Sequence, residues 1–482
     1  MPRLVTAAAV LFCICLFFAA PAAADTVLVS TLDELTNNLT GAFTDRTIVV
    51  TGNINAGDSV FVIGSGKNIT LMPGSTSGIS INRTLANGTI NWGMFTIQSG
   101  GNLTLAANAT TPASTLTIDG GNHNTNTQPL VWVQNRGYFT LEEGLLTNNR
   151  MATIGDTGGW GGGVRVTDSG TFMMTGGEIS GNTADVFGGG VFTWGTTYTF
   201  RMSGGKISGN TAGNGGGGMF LMGGKFTMSD DGEISGNTAG NYGGGVGVSS
   251  SGTFTMAGGK ISGNTATENG GGVGVNGGTF VMQSGEISGN NAKEGGGVYM
   301  NGTFTMEGGT ISDNNATATG GLGGGVGMSG VGSTFTMSGG EISDNTAGNG
   351  GGVWVNSATF TMNAGTISGN NATSGGGGVC VYIASRFTMT GGTISDNNAT
   401  DTEGFGGGVY VYRATFTMSD GTISDNTATF HGGGVFLKGS CSFTMSGGSI
   451  SGNTGLYGDG GGVYMSQWGE EGNGAFPHQS SF

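Results

Sequence analysis

Between Val164 and Met465, apolar and polar residues alternate in short bursts that return at a nearly fixed interval. Each round opens on Phe-x-Met, passes through Ile-Ser and closes on Val-x-Val, and such period-2 alternation marks strands with one buried face. The opening Phe stands at 172, 200, 226, 254, 280, 304, 335, 360, 387, 416 and 443, an average repeat of about 27 residues. A period of that length points to a solenoid or propeller. A WD40 blade needs four strands and roughly 40 residues, so the solenoid is preferred.

The spacings within a round say where the chain is free to vary. From Phe to Ile the distance is seven residues in ten of eleven copies, the exception being Phe226 to Ile234, with an added residue at Asp230-Asp231. From Ile to the Val that follows Gly-Gly-Gly it ranges from 11 to 15, and from that Val to the next Phe from 6 to 9. One corner is therefore tight and two carry loops. Three short strands per round with glycine at the corners predict an all-β parallel β-helix, each strand pairing with its counterpart one coil away.

The repeated Ile-Ser-x-Asn (Ile179 to Asn182, Ile342 to Asn345) followed by Gly-Gly-Gly-Val (Gly188 to Val191, Gly350 to Val353) resembles the FxxN and GGA[ILV] repeats of polymorphic outer-membrane proteins and of related bacterial and archaeal adhesin-like proteins. The resemblance covers roughly residues 161–465; this chain has Ile for Phe and Gly for Ala, and shows no C-terminal autotransporter barrel. It implies a right-handed parallel β-helix of the pectin-lyase-like superfold and an adhesive, non-catalytic role at the cell surface.

The rest of the chain divides around this array. Arg3, an apolar run through Leu11 to Ala20 and Ala22-Ala23-Ala24 before Asp25 have the arrangement of a secretory signal peptide over residues 1–24. Within 25–160, Thr31 and Glu34 have capping-box spacing and predict a short helix that covers the end of the solenoid. Strand-like bursts at Ile48-Val50, Val60-Val62, Ile69-Leu71, Leu103-Leu105, Leu116-Ile118 and Val131-Val133 predict irregular coils of the same rod. The regular array spans 161–465 and an irregular tail follows over 466–482. At ~4.8 Å per coil, about 15 to 17 coils make a rod roughly 75 Å long.

Stacking turns each repeat position into a column. The Phe, Met, Ile and both Val positions are expected inside, with Met as a flexible gap-filler rather than a soft-metal ligand. The Asn column (Asn182, Asn210, Asn237 and onward to Asn453) fits a corner ladder. Glu178, Lys206, Glu233, Lys260 and Glu286 alternate in sign, which favours correct register. The residue between the two Val positions is often aromatic: Phe192, Phe220, Tyr299, Trp354, Tyr410, Phe436 and Tyr464 form a candidate exposed strip for sugars or a partner protein. Mutual stacking that shields the sheet is the weightier account of it. Thr flanks the Phe in five copies, as in the flat face of β-helical ice-binding proteins, but Arg201, Lys225, Val281 and Arg386 interrupt the array, and β-propensity explains it better.

Composition narrows the function classes. Gly supplies 106 of 482 residues without a three-residue period, which excludes collagen. A net charge of −15 disfavours nucleic acid and anionic membranes as partners. Lyases and hydrolases share this fold, and glycoside hydrolysis needs paired carboxylates. Outside the ladder the acids Asp185, Glu268, Glu294, Glu307, Asp401, Glu403 and Asp459 are scattered, and His123, His431 and His478 form no triad or metal set. No catalytic residue, metal or cofactor is assigned. After cleavage Cys380 and Cys441 remain, too far apart along the rod to pair. Ten Asn-x-Ser/Thr sequons, Asn38 and Asn301 among them, are candidate glycan acceptors if the source glycosylates exported proteins. The expectation is an exported adhesin-like rod, secreted or on the cell surface, meeting an extracellular glycan or a cell-surface protein; a polysaccharide lyase or hydrolase is the alternative, and ice binding a more distant one.

Overall fold

The computed structural model describes residues 25–466 apart from short segments at 75–77, 85–91, 112–113, 125, 155–156, 317–319 and 403; the signal-peptide expectation and most of the tail fall outside the described residues. The chain is a right-handed parallel β-helix of about 15 turns. Every predicted inner column is in register. Phe172 pairs with Phe200, Met174 with Met202, Ile179 with Ile207 and Val191 with Met219, and the same correspondence runs on through the array. Equivalent residues thus lie one strand spacing apart along the axis.

The Phe column illustrates what in-register stacking does to a side chain. From Phe139 to Phe443 consecutive rings lie 4.5–5.1 Å apart with interplanar angles of 5–18°. Offset stacking at this separation is the arrangement the ring quadrupole favours. Met174 through Met418 line the core beside the rings and are fully buried.

The Asn ladder is more than a turn device. Twelve asparagines, from Asn149 to Asn453, stand at one corner, and all but the last are buried. Each Nδ2 donates to the Oδ1 of the Asn one coil on, at 2.9–3.1 Å from Asn182 to Asn453, and each backbone N–H donates to that same oxygen. The second Nδ2 proton goes back to the Ile carbonyl of the previous coil, as from Asn264 to Ile234 at 2.9 Å. Every amide is satisfied without water, as burial requires. At the N-terminal end the acceptor of Asn149 receives Asn126 Nδ2 at 2.7 Å and Arg83 Nη1 at 3.4 Å. Arg83 is wholly buried, and its guanidinium also donates to the carbonyls of Gln128 and Pro129. That burial pulls its pKa down to about 10.

Two features go beyond the predicted three strands. A two-residue strand after the Asn (Thr183–Ala184 and its equivalents) adds a twelve-stranded sheet along that corner. In five coils, such as Thr253–Ser262 and Arg386–Ser395, neighbouring strands run together around a corner. The charge ladder pairs as expected: Lys206 lies 2.9 Å from Glu233 and Lys260 2.9 Å from Glu286. The Ser235 hydroxyl and the Lys206 ammonium hold the Glu233 carboxyl below the usual range, as Ser288 and Lys260 do for Glu286.

The predicted helix is present as α1, Leu32–Thr40, with Thr31 as N-cap and the reciprocal Glu34 bond of a capping box. Leu35 and Leu39 are buried against the first coils, so the helix closes that end. All six irregular bursts are strands, with Val60-Val62 shifted by one residue to Phe61–Ile63. Asp25–Val29, Ile54–Gly57, Ile79–Arg83 and Phe95–Ile97 are further strands that the pattern left unmarked. In the last coil Met445 and Met465 are exposed, and Ser466 still pairs with Lys438, one residue beyond the predicted end of the array.

Excising residues 254–279 removes one whole coil and rejoins matching columns, whereas Ile261→Lys buries an unpaired charge. The substitution is expected to lower the melting temperature more than the excision, followed by far-UV circular dichroism; equal losses would contradict nearest-neighbour stacking. Asn264→Ala strips two buried donors of Asn237 of their acceptor and should cost on the order of 3 kcal/mol in denaturant melts.

Candidate functional site

The aromatic strip is not the exposed surface that alternation predicts. Phe192, Phe220, Trp354 and Phe436 are buried, and Tyr299, Tyr410 and Tyr464 are half-buried. The Gly-Gly-Gly loop doubles back across the outer face of the Val strand, and in four coils the residue before it lays its ring on the strip of the following coil. Phe187 stacks on Phe220 at 4.3 Å, Trp160 on Phe192 at 5.8 Å, Phe405 on Phe436 at 4.5 Å and His431 on Tyr464 at 4.1 Å. Burial pushes the Tyr299, Tyr410 and Tyr464 hydroxyls up from their ordinary pKa, and that of the covering Tyr242 up to about 12.

Glycine is what permits this fold-back. Gly216 has φ +65°, and a Cβ there would stand 2.3 Å from the Met219 carbonyl oxygen; one on Gly217 would stand 2.5 Å from those of Thr238 and Gly244. No side chain survives such contacts. A sequence clue was present in the aromatic or bulky residue four before the Val (Trp160, Phe187, Tyr242, Leu322, Phe405), a column that the three-strand reading placed in a loop.

The other expected candidates fall as follows. Asp185 pairs with Arg150 at 3.0 Å and accepts the Thr153 N–H, and Glu268 pairs with Lys293 at 3.1 Å. Glu307 accepts from Gln283, and the Asp459 N–H donates to His431 Nδ1. Burial raises the pKa of the Glu294 carboxyl. Glu403 and His478 lie outside the described residues. From Asp185 to Asp459 these acids are strung over roughly 50 Å of the axis at ~4.8 Å per coil, so the set does not converge. His123 sits at the other end of the rod, 3.3 Å from the Arg83 carbonyl oxygen. Among the described residues no three His, Cys, Asp or Glu side chains are grouped as a metal would need. Cys380 is buried and Cys441 half-buried, and burial raises the pKa of both free thiols.

A different site lies at the corner between the Val and Phe strands. An open groove of about 680 Å³ runs across the coils from Val331 to Ser442, with Arg386 and Arg413 on its wall and no carboxylate among its lining residues. Ser357, Ala384 and Arg413 occupy equivalent turn positions with φ of 53°, 56° and 50°, where the next coil has Gly439 at 76°. Beside the groove Tyr382 and Tyr412 stack at 5.1 Å, and the Arg413 guanidinium lies 5.3 Å from the Tyr412 ring centre. These tyrosines stand two residues beyond the predicted strip.

Residues 330–473 match the family model described as right-handed beta helix region. That span contains the whole groove. No curated protein and no solved structure matches the chain. No helix among the described residues is long and apolar enough to cross a membrane.

Phe220→Ala removes a ring packed against Phe187, Phe192 and Tyr242 and is expected to cost about 3 to 5 kcal/mol. Hydrogen exchange at Phe187–Val191 should rise with it. A variant with unchanged exchange and melting would return the strip to the surface.

Proposed function

We propose that the protein is an exported, non-catalytic, adhesin-like rod that displays a binding surface outside the cell, in the manner of the polymorphic outer-membrane repeat proteins it resembles. The observation that supports this reading is the division of labour in the repeat. Phe, Met, Ile, Val and Asn columns are consumed in building the rod, while variation in length is confined to the corners and most charged side chains point outward from it. Such a scaffold holds surface groups at fixed intervals over a long reach, which suits display rather than chemistry at one point. The right-handed β-helix is equally the scaffold of pectin-lyase-like enzymes, and fold alone decides nothing about activity.

The test is to express the full chain in an exporting host and ask three things of it. The mature N-terminus is expected at Asp25 by mass spectrometry, protease added to intact cells is expected to remove the protein, and a polysaccharide panel should show no new reducing ends. Retention inside the cell with Met1 intact would overturn export; chain shortening of any polysaccharide would overturn the non-catalytic assignment.

A further inference from the structure

We propose that residues 467–482 close the C-terminal end of the rod by lying across its last coil, with Trp468 and Phe476 as the apolar anchors that cover Met445, Ile450 and Met465.

A β-helix has two ends at which a cross-section of core and a row of strand edges lack a neighbouring coil, and both invite association unless something covers them. At the N-terminal end α1 does so, with Leu35 and Leu39 buried on the first coils. At the other end nothing among the described residues does. Phe416, Met418, Ile423, Val435 and Leu437 are at most 1% exposed, whereas one coil on Phe443, Ile450 and Val463 are only partly buried, and Met445 and Met465 are 41% and 48% exposed. Among the described residues, four of the twelve exposed large apolar side chains (Met445, Leu456, Tyr457 and Met465) fall in this one coil of about fifteen. The patch therefore belongs to the end, not to the surface at large. Its strands, Ser442–Met445, Ser449–Ser451 and Val463–Ser466, pair on one side with the coil before them.

The chain itself supplies a cover of matching chemistry. Residues 467–482 lie outside the described residues, and they leave the last coil at Ser466, which ends a strand on the rim of the face to be covered. Trp468 follows Met465 by three residues, and Phe476 follows Ile450 by 26, within the 24 to 31 at which Ile recurs from coil to coil. A chain continuing around the same contour brings Phe476 over Ile450. It does not build another full coil. Seven residues before Phe476, where the Phe of the round belongs, stands Gly469, and the Met place two residues later holds Glu471, whose carboxylate a core excludes. Such a layer has an apolar underside and a polar outside, which is the form of a capping repeat.

A second copy is the weaker occupant. Head-to-tail stacking is blocked by α1, so copies could meet only tail to tail. Strands of three or four residues at ~3.3 Å per residue bound an end face on the order of 300 Å². Stable interfaces bury about 800 Å² on each partner. A tethered segment does not need that area, because its effective concentration is on the order of millimolar.

The experiment is methionine oxidation of the purified full chain. Hydrogen peroxide converts exposed thioethers to sulfoxides, and peptide mass spectrometry reads each methionine separately. Met173, 40% exposed on the side of the rod, is the internal reference, and buried Met418 is the control for an intact fold. Met445 and Met465 are expected to oxidise at least about tenfold more slowly than Met173, although the last coil alone leaves them no less exposed than it is. In Trp468→Ser/Phe476→Ser both should rise to the rate of Met173 while Met418 stays protected. Oxidation of Met445 and Met465 at the rate of Met173 in the unaltered chain would overturn the proposal without recourse to any variant. Protection that survives the double substitution would overturn it too. Protection that fades on dilution, together with a dimer mass by light scattering, would give the end to a second copy instead.

Discussion

Parallel in-register pairing between successive coils is the constraint on which everything else in this protein depends. Once backbone groups of one coil are satisfied only by the next, each residue must tolerate a copy of itself about 4.8 Å away. Phenylalanine meets that condition by stacking, asparagine by handing an amide proton to its neighbour, methionine by adapting its shape, and the column from Glu178 to Glu286 by alternating sign. The repeat therefore uses few residue types at each place. A residue that cannot stack on itself appears at corners, where consecutive coils diverge.

The same constraint explains the glycine content. The Gly-Gly-Gly loop lies so close to the loop of the adjacent coil, and to the strand beneath it, that carbonyl oxygens occupy the space of any Cβ. Glycine here is chosen for volume as much as for backbone freedom. By closing over the Val strand, the loop converts what would be a flat apolar surface into a second, outer aromatic layer.

How much of this could be read from the chain alone depended on the length scale involved. Columns such as Phe254, Ile261 and Asn264 follow from local alternation and a repeat period, and the parallel β-helix with its three main strands was legible from them, whereas the two-residue strand after the Asn was too short to alternate. The capping helix was legible because Thr31 and Glu34 interact within one turn. The burial of Phe220 was not, since it is decided by Phe187 on the preceding coil, and the recurrence of a bulky residue four before the Val marks that column without saying which strand its ring would cover. Nor was the groove at Arg386 and Arg413, which appear in the sequence only as interruptions, because their proximity arises when a corner of 6 to 9 residues is folded and stacked. Short-range patterns define the scaffold; the surface depends on lengths that differ from coil to coil.

The direction of the hydrogen bonds has a mechanical consequence. They lie along the axis of the rod while the chain winds around it, so tension between the two ends of the rod is shared by all the bonds of a coil–coil interface at once. Tension on one end of the polypeptide instead opens those bonds one after another, a coil at a time. The molecule is thus stiff as a spacer and weak as a thread, and the outcome of a pull is decided by whether force enters through a surface such as the corner groove or through the chain itself.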